Sequence, residues 1–342
     1  MFAPSVLDAT QAALSSYHTI AGRLLRIEAQ GDWAAQWVAS FLNGFYLDST
    51  AAPADGGAAI TLRVGRKAPT AVPSGPQTFA INHGVCHTDG ARYFLAVDDS
   101  LVHVAAPEAR LVEVWFGTSA HARHPVALVN TFSYGLQAAL RRAGVYDLHA
   151  AAARDPATGA GALFVGASGS GKTTLTLRLA ACGWHYLSDD MVVLRETPGA
   201  VEAEGLRRLF AVAEKSIAAA GLRQIGAALG PPVASDPSKH RLEPEAVFPG
   251  ARAARATPRA LLFPRVTDAD RSALAPLTGR EAMQRLVRAC PWATYDQVVA
   301  PDYLRVLARL ARQCRAYELR AGRDLLTEPE RAADLLAPCL SE

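Results

Sequence analysis

The sequence of 342 residues lacks the features that mark several large classes of protein. It has no run of about 20 consecutive apolar residues, which a membrane-spanning helix needs. Its five cysteines are scattered and form no CxxC pair, which argues against a disulfide framework and favours a reducing compartment. The N-terminal residues MFAPSVLDATQ contain neither the basic nor the long apolar segment of a signal peptide. We therefore expect a cytoplasmic protein.

Net charge is also small. Lys and Arg number 35, Asp and Glu number 32, and the formal net charge is +3. Electrostatics alone therefore does not indicate a nucleic-acid or membrane partner, and we expect neither. Half of the residues are hydrophobic and a fifth are charged, which is typical of a packed globular protein. The length predicts two domains.

The predicted first domain, residues 1–125, is a mixed and mainly antiparallel β domain with a helix over residues 32–42. Its strand-like runs are AAITLRV (58–64), GARYFLAV (90–97), DSLVHVAA (99–106) and RLVEVWFG (110–117). A helix over residues 125–142, followed by Gly144, is predicted to lead into the second domain, residues 126–342.

The predicted second domain alternates strands and helices, which indicates an α/β fold with a mixed sheet. Its strand-like runs are LHAAAA (148–153), ALFVGA (162–167), WHYLSDDMVVLR (184–195), RALLFPRV (259–266) and AYELRAG (316–322). Its predicted helices cover residues 171–182, 279–289, 302–315 and 329–340.

One segment of this domain fits the phosphate-binding pattern G-x-x-x-x-G-K-[ST] without a mismatch. It follows the apolar run 162–165 and precedes a predicted helix, as the pattern requires. Its glycines let main-chain N–H groups turn toward phosphate oxygens, and the helix N-terminus favours an anion. The predicted nucleotide-binding residues are Gly166, Ala167, Ser168, Gly169, Ser170, Gly171, Lys172, Thr173 and Thr174.

Two side chains of this loop have specific predicted roles. Lys172 would contact the β and γ phosphates of a nucleoside triphosphate, and the Thr173 hydroxyl would bind Mg²⁺. The alternative is a strand-to-helix connection, rich in Gly and Ser, that binds no ligand. The strand and the helix on either side favour the phosphate site.

Asp189 and Asp190 are the candidate catalytic carboxylates. A strand over 162–165, a helix and a strand over 184–188 would form a βαβ unit, whose parallel strands end at the same edge of the sheet. One carboxylate could then hold Mg²⁺ while the other accepts the proton of an attacking hydroxyl. An extended chain would bring only one of them to the site, and a bulge or loop would bring both. A solvated turn is the alternative.

Three basic residues complete the candidate site. If DPATG (155–159) forms a hairpin turn, His149 faces residue 165, beside the phosphate loop. There it could tune an aspartate or contact a metal-bound water, and otherwise it is a structural histidine. Lys239 and Arg241 could clamp the γ-phosphate or an acidic substrate, and the alternative is that they are simply solvated.

Together these features resemble the HPr kinase/phosphorylase-like kinases and, more distantly, the nucleotide domain of phosphoenolpyruvate carboxykinase. The resemblance rests on LHA and on GASGSGKTTLTLRLAACGWHYLSDD, and it covers residues 148–194. It implies ATP and Mg²⁺ as cofactors. It further implies that Asp189 is the catalytic base, that Asp190 assists at the metal together with Thr173, and that His149 lies close to them.

The activity implied is transfer of the ATP γ-phosphoryl group to a hydroxyl, with a serine of a peptide or protein as acceptor and residues 1–125 as an accessory or substrate-presenting domain. The segments AYELRAGRDL and KHRLEP resemble the HPr kinase-related proteins of bacterial peptide-modification clusters, such as lasso-precursor kinases. Bifunctional HPr enzymes carry an acidic residue where Ala167 stands and an EIRG-type signature where this chain has AEGLRRLF. We therefore expect neither HPr as substrate nor a phosphorylase activity. A metabolite kinase and a nucleotide-gated peptide-binding module remain alternatives, and a homo-oligomer is left open.

Overall fold

The structure is a computed structural model that describes residues 13–53, 59–66, 77–81, 84–117, 125–233 and 236–340. The segment examined for a signal peptide, residues 1–11, lies outside the described residues, as does residue 58 of the predicted strand 58–64. By its contacts the chain divides into two compact units, Met1–Asn43 with Leu47–Ala143 and Gly44–Tyr46 with Gly144–Glu342. Both units combine helices with sheets, so the fold class is α/β, as predicted. In the described parts, no helix is both long and apolar enough to cross a membrane.

In its described residues, the first unit contains one sheet with two α-helices packed against it. Its described strands are β1 (Ala13–Ile20), β2 (Arg23–Gln30), β3 (Asp48–Thr50), β4 (Ile60–Arg66), β5 (Gln77–Ile81), β6 (Gly84–Thr88), β7 (Tyr93–Val97), β8 (Ser100–Val104) and β9 (Leu111–Phe116), and its helices are α1 (Gly31–Leu42) and α2 (Pro125–Arg142). The strand order is β3-β1-β2-β4-β9-β8-β7-β6-β5. Strand β4 is parallel to β2 and β9, and the other pairs are antiparallel, which confirms the mainly antiparallel prediction.

Helix α2 has the predicted bounds but belongs to the first unit. It packs on β4, β8 and β9, and its buried residues include Phe132 and Leu136. The units therefore divide between Ala143 and Gly144, not near residue 125 as the sequence predicted. The apolar periodicity of a helix shows that it covers a sheet, but not which sheet it covers. The roles of the two domains stay predictions.

The second unit contains a larger mixed sheet, a small sheet and several helices. Its strands are β10 (Tyr146–Leu148), β11 (Ala150–Arg154), β12 (Ala160–Val165), β13 (His185–Ser188), β14 (Val192–Glu196), β15 (Val201–Gly205), β16 (Phe210–Ala213), β17 (Leu229–Val233), β18 (Asp236–Leu242), β19 (Arg255–Val266), β20 (Ala273–Leu277) and β21 (Arg315–Ala321). Its helices are α3 (Lys172–Ala181), α4 (Glu214–Ala219), α5 (Arg223–Gly226), α6 (Gly279–Ala289), α7 (Trp292–Tyr295), α8 (Ala300–Gln313), α9 (Asp324–Thr327) and α10 (Arg331–Leu340).

The order of the larger sheet puts the ends of four strands at one edge. The strands follow the order β10-β14-β15-β19-β12-β11-β13, with β21 beside β19 and β20 beside β21. Strands β12, β19 and β21 are mutually parallel. Strand β11 is antiparallel to both β12 and β13, so these two run parallel with β11 between them. The carboxyl ends of β12, β13, β19 and β21 therefore lie at the same edge, where ligands of α/β proteins usually bind.

Most predicted elements of the second unit form close to their predicted positions. Helix α6 has the predicted bounds and begins with a capping box between Thr278 and Glu281. The predicted strand 184–195 is wrong as a single element, because the chain leaves the sheet at Asp189 and starts β14 only at Val192. Strands β13 and β14 then lie at different places in the sheet, which a continuous strand-like pattern does not reveal.

Candidate phosphate-binding and catalytic site

The loop between β12 and α3 has the backbone that the phosphate-binding pattern requires. Gly169 and Gly171 have φ angles of 84° and 93°, in the left-handed region that favours glycine. At Gly166 the loop is tight, since a Cβ would lie 2.8 Å from the Ser170 hydroxyl oxygen. Helix α3 begins at Lys172, and the N–H groups of its first turn have no helical acceptor. The loop therefore directs a helix N-terminus toward the sheet edge where β12 ends.

Lys172 is held against this loop by its own ammonium group. The Nζ atom donates to the carbonyl oxygens of Gly166 and Ala167, at 2.6 and 3.1 Å, and lies 3.3 Å from the Nε2 atom of His149. Burial lowers the pKa of Lys172, while the nearby charges of Asp190 and Asp189 oppose that shift. A phosphate group in the loop would meet a desolvated cation that needs little rearrangement to bind it.

Asp189 lies directly beside the first turn of α3. Its Oδ2 atom accepts hydrogen bonds from the Thr173 hydroxyl and from the Ala211 main-chain N–H, both at 3.1 Å. The residue is only 2% exposed. Burial, and then the neighbouring charge of Asp190, raise the pKa of Asp189 to about 7, although the two hydrogen bonds and Arg207 act against this shift.

Asp190 faces the same site because the chain is not a strand at this point. The side chain of Asp190 is 43% exposed, and its Oδ1 atom lies 3.5 Å from the Nε2 atom of His149. Since β13 ends at Ser188, the alternation of a strand does not turn one carboxylate away. The sequence had left this point open, and the break between β13 and β14 decides it.

His149 lies at the end of the hairpin, one residue away from the predicted register. Ala150 pairs with Val165, whereas the prediction placed residue 149 opposite 165. The difference arises in the turn, which closes with the Asp155 N–H donating to the Ala160 carbonyl and has Gly159 at φ 72°. Burial lowers the pKa of His149, and the charge of Asp190 counteracts part of this shift. A neutral imidazole can accept a hydrogen bond at Nε2 from the Lys172 ammonium.

These residues surround a cavity of about 300 Å³, which we call the catalytic cavity. Ten of the predicted site residues line it: His149, Ser168, Gly169, Gly171, Lys172, Thr173, Thr174, Asp189, Asp190 and Lys239. Lys239 reaches it from β18, with Nζ 3.4 Å from the Ser168 hydroxyl and 3.2 Å from the Asp236 carboxylate. Arg241, predicted with Lys239, is exposed and is not among the residues that line the cavity.

Arg207 is a site residue that the sequence did not indicate. It follows β15, its main-chain oxygen accepts from the Ser188 hydroxyl at 3.2 Å, and its guanidinium carbon lies 4.7 Å from the centre of the Phe45 ring. Burial lowers the pKa of Arg207, and the charges of Asp190 and Asp189 raise it. Its only local signal is a pair of arginines after a strand-like run, and the sheet order alone brings that run beside the acidic pair.

The oxygen atoms around Thr173 are of the chemical type that binds Mg²⁺. Thr173 supplies a hydroxyl, and Asp189 and Asp190 supply carboxylates, which are the hard ligands that this ion prefers. Among the residues that the structure describes, no group of three or more His, Cys, Asp or Glu side chains could hold a metal ion by itself. A Mg²⁺ ion in this site would therefore depend on phosphate oxygens and water for the rest of its ligands.

Comparison with known proteins leaves the family open. No family model matches the sequence, and no curated protein matches it. Among solved structures, the chain is similar to the Hpr(Ser) kinase/phosphatase from Coxiella burnetii, with 14% identity and a TM-score of 0.23. The match covers 36% of this chain and 59% of that one, so the chain spans less than two thirds of that structure. A TM-score this low carries no argument, and the function has to be inferred from the site.

Proposed function

We propose that this protein is an ATP-dependent kinase that transfers the γ-phosphoryl group to a hydroxyl. The observation that carries the proposal is the 3.1 Å hydrogen bond from the Thr173 hydroxyl to the Asp189 carboxylate. It joins a loop shaped for phosphate to a buried carboxylate that can take up a proton. Phosphoryl transfer needs both parts within reach of one γ-phosphate.

The loop residues would hold the triphosphate. The main-chain N–H groups around Gly169 and Gly171 and the first turn of α3 offer donors to phosphate oxygens. Lys172 adds a desolvated positive charge, and Lys239, 3.4 Å from the Ser168 hydroxyl, adds a second in the catalytic cavity. These two cations would stabilise charge on the oxygens of the transferred group.

Thr173 and Asp190 are the residues that we assign to Mg²⁺. When bound, the ion would neutralise charge on the β and γ phosphates. Asp190 suits this role because it is half-exposed and can reach a hydrated ion, while His149 limits where its carboxylate can turn. The remaining steps depend on side chains of the chain itself.

Asp189 is the residue that we assign as general base. Because burial raises its pKa to about 7, its carboxylate can accept a proton near neutral pH. The acceptor oxygen forms a bond to the γ phosphorus, the bond from that phosphorus to the bridging oxygen breaks, and ADP leaves with the electron pair. The hydroxyl proton passes to Asp189.

The edge of β16 supports a peptide or protein serine as the acceptor. Among the described strands, β16 pairs only with β18, and its residues Ala211, Val212 and Ala213 line the catalytic cavity. The Ala211 main-chain N–H donates to Asp189. An extended peptide lying along these residues would bring a side-chain hydroxyl close to the base.

Labelled ATP, Mg²⁺ and candidate peptides provide the test, with products identified by mass spectrometry. Wild type should phosphorylate a serine, and Asp189→Asn should bind ATP normally while losing about 10²–10⁴-fold in turnover. Asp190→Asn should instead need more Mg²⁺ for half-maximal rate. Activity of Asp189→Asn equal to wild type would exclude its role as base. Phosphorylation of metabolites alone would support the metabolite kinase, and peptide binding without transfer would support the binding module.

A further inference from the structure

A second cavity lies next to the phosphate loop and has no part in the catalytic steps. Its volume is about 420 Å³, within the range of about 300–1,000 Å³ that is usual for small-molecule sites. It shares Gly169, Gly171, Thr174 and Ser216 with the catalytic cavity, so the two cavities adjoin at the phosphate loop. We call it the apolar cavity.

The walls of the apolar cavity come from the sheet edge and from the three helices α3, α4 and α9. The ends of β19 and β21 supply Val266 and Leu319, helix α3 supplies Leu175, and helix α9 supplies Leu325. Val266 is 60% exposed although it is a large apolar residue, and one of its methyl carbons would lie 3.4 Å from a Cβ on Gly171. Covering this exposed apolar surface with a flat ring is favourable, because it removes the surface from water.

Arg178 provides an observation that points to a ligand. The residue lines the apolar cavity and is 5% exposed, and its Nη1 atom donates to the Ala220 carbonyl at 2.8 Å. Its Nε and Nη2 atoms are buried and have no hydrogen-bond partner among the described residues. The Ser170 hydroxyl, on the same cavity, is buried and unpartnered as well. A buried donor without a hydrogen bond costs free energy. We therefore expect acceptor atoms of a ligand there.

The charges of the two cavities differ in a way that orients a nucleotide. Asp189 and Asp190 line only the catalytic cavity, so the γ-phosphate and the acceptor belong there. The apolar cavity is lined by Arg178, Lys215 and Arg323 and by no carboxylate. The nucleoside end of the nucleotide carries no transferred group, so it must leave the loop in a different direction from the γ-phosphate. The apolar cavity adjoins the loop and can receive it.

We propose that the apolar cavity holds the purine nucleoside of the triphosphate, with the base on Val266 and Leu319 and with Arg178 donating to acceptor atoms of the base or ribose. The inference rests on the proposed function, because it assumes that the loop holds the phosphates. The ring nitrogens of adenine and the ribose hydroxyls can accept hydrogen bonds from the Nε and Nη2 atoms of the guanidinium.

The test compares ATP with tripolyphosphate, which has the phosphates but no nucleoside. Dissociation constants of both would be measured by calorimetry on the full chain with Mg²⁺. Ala219→Trp puts a bulky neutral side chain on an exposed α4 position that lines the apolar cavity, and Ala218→Trp is its matched control on an exposed α4 position outside it. Arg178→Gln removes the guanidinium and its charge and leaves a shorter polar side chain.

We expect wild type to bind ATP at least about tenfold more tightly than tripolyphosphate. Ala219→Trp and Arg178→Gln should remove most of that difference and leave tripolyphosphate binding unchanged, which also shows that the loop is folded, and Ala218→Trp should behave as wild type. Equal affinity of wild type for the two ligands, or ATP affinity unchanged in both cavity variants, would overturn the inference. Failure of the proposed function looks different, since ATP would then bind with these same preferences and no phosphoryl group would be transferred.

Discussion

Gly205 of β15 lies so close to Leu187 of β13 that a Cβ on the glycine would be 2.1 Å from the leucine carbonyl oxygen. Leu187 is two residues before Asp189, so this contact helps to set where the base lies. The main chains approach at this distance only because glycine has no side chain.

Gly205→Ala should therefore displace the end of β13. Forcing the strands apart should cost about 1–3 kcal/mol in the free energy of unfolding and should lower kcat more than it weakens ATP binding. Denaturant unfolding and steady-state kinetics measure the two effects. Gly199→Ala is the matched control, since a Cβ at Gly199 meets nothing within 4 Å. If both variants behaved alike, the contact would have no role in positioning Asp189.

Lys172→Ala should abolish binding of both ATP and tripolyphosphate. The Lys172 ammonium is already aligned by the Gly166 and Ala167 carbonyls, and its loss leaves the loop without its central cation. Calorimetry measures the affinities, and Arg271→Ala, which removes an exposed cation paired with Glu328, is the control. Retention of tripolyphosphate binding by Lys172→Ala would show that the phosphates bind elsewhere.

Arg207→Gln should shift the pH dependence of the reaction. The charge of Arg207 lowers the pKa of Asp189, so its removal should raise that pKa above its wild-type value of about 7. The rate depends on ionised Asp189, and the acid limb of kcat/KM against pH should therefore move to higher pH. Arg208→Gln is the control, because the neighbouring Arg208 points to Glu243, at 2.8 Å, and lies away from the acidic pair. A shift of equal size in both variants would argue against this electrostatic role.

Without nucleotide and Mg²⁺, Asp189 should make the protein less stable as pH rises. The pKa of Asp189 is about 7 in the folded chain and 3.8 in the unfolded chain. Between these two pH values the folded chain therefore binds more protons than the unfolded chain. The contribution of Asp189 to stability is complete below about pH 4 and is lost as pH rises through about 7. Asp189→Asn should remove this decline.

Denaturant unfolding at pH 5 and pH 8 measures the effect. Asp268→Asn, at an exposed position, is the control and should keep the wild-type decline. An Asp189→Asn variant that lost as much stability as wild type between these pH values would show that the folded carboxyl is ionised throughout.

Much of the local structure could be predicted from the sequence. The phosphate loop with its flanking strand and helix, helix α6 and the bounds of α2 all depend on glycine positions, capping residues and apolar periodicity, which act over a few residues. The placement of Asp189 and Asp190 at the loop also followed from parallel strands with a helix between them, and the structure brings both residues to the catalytic cavity.

Tertiary structure decided what depends on distant segments. The partner sheet of α2, the insertion of β11 between β12 and β13, and the break after Ser188 depend on sheet order, which local periodicity does not contain. Arg207 comes to the acidic pair, and Arg178, Ala219 and Val266 come to one cavity, from separate elements. A sequence by itself specifies where the backbone can turn and which face of an element is apolar. Only packing of the whole unit specifies which side chains those faces bring together, because each contact depends on the position of every strand between them.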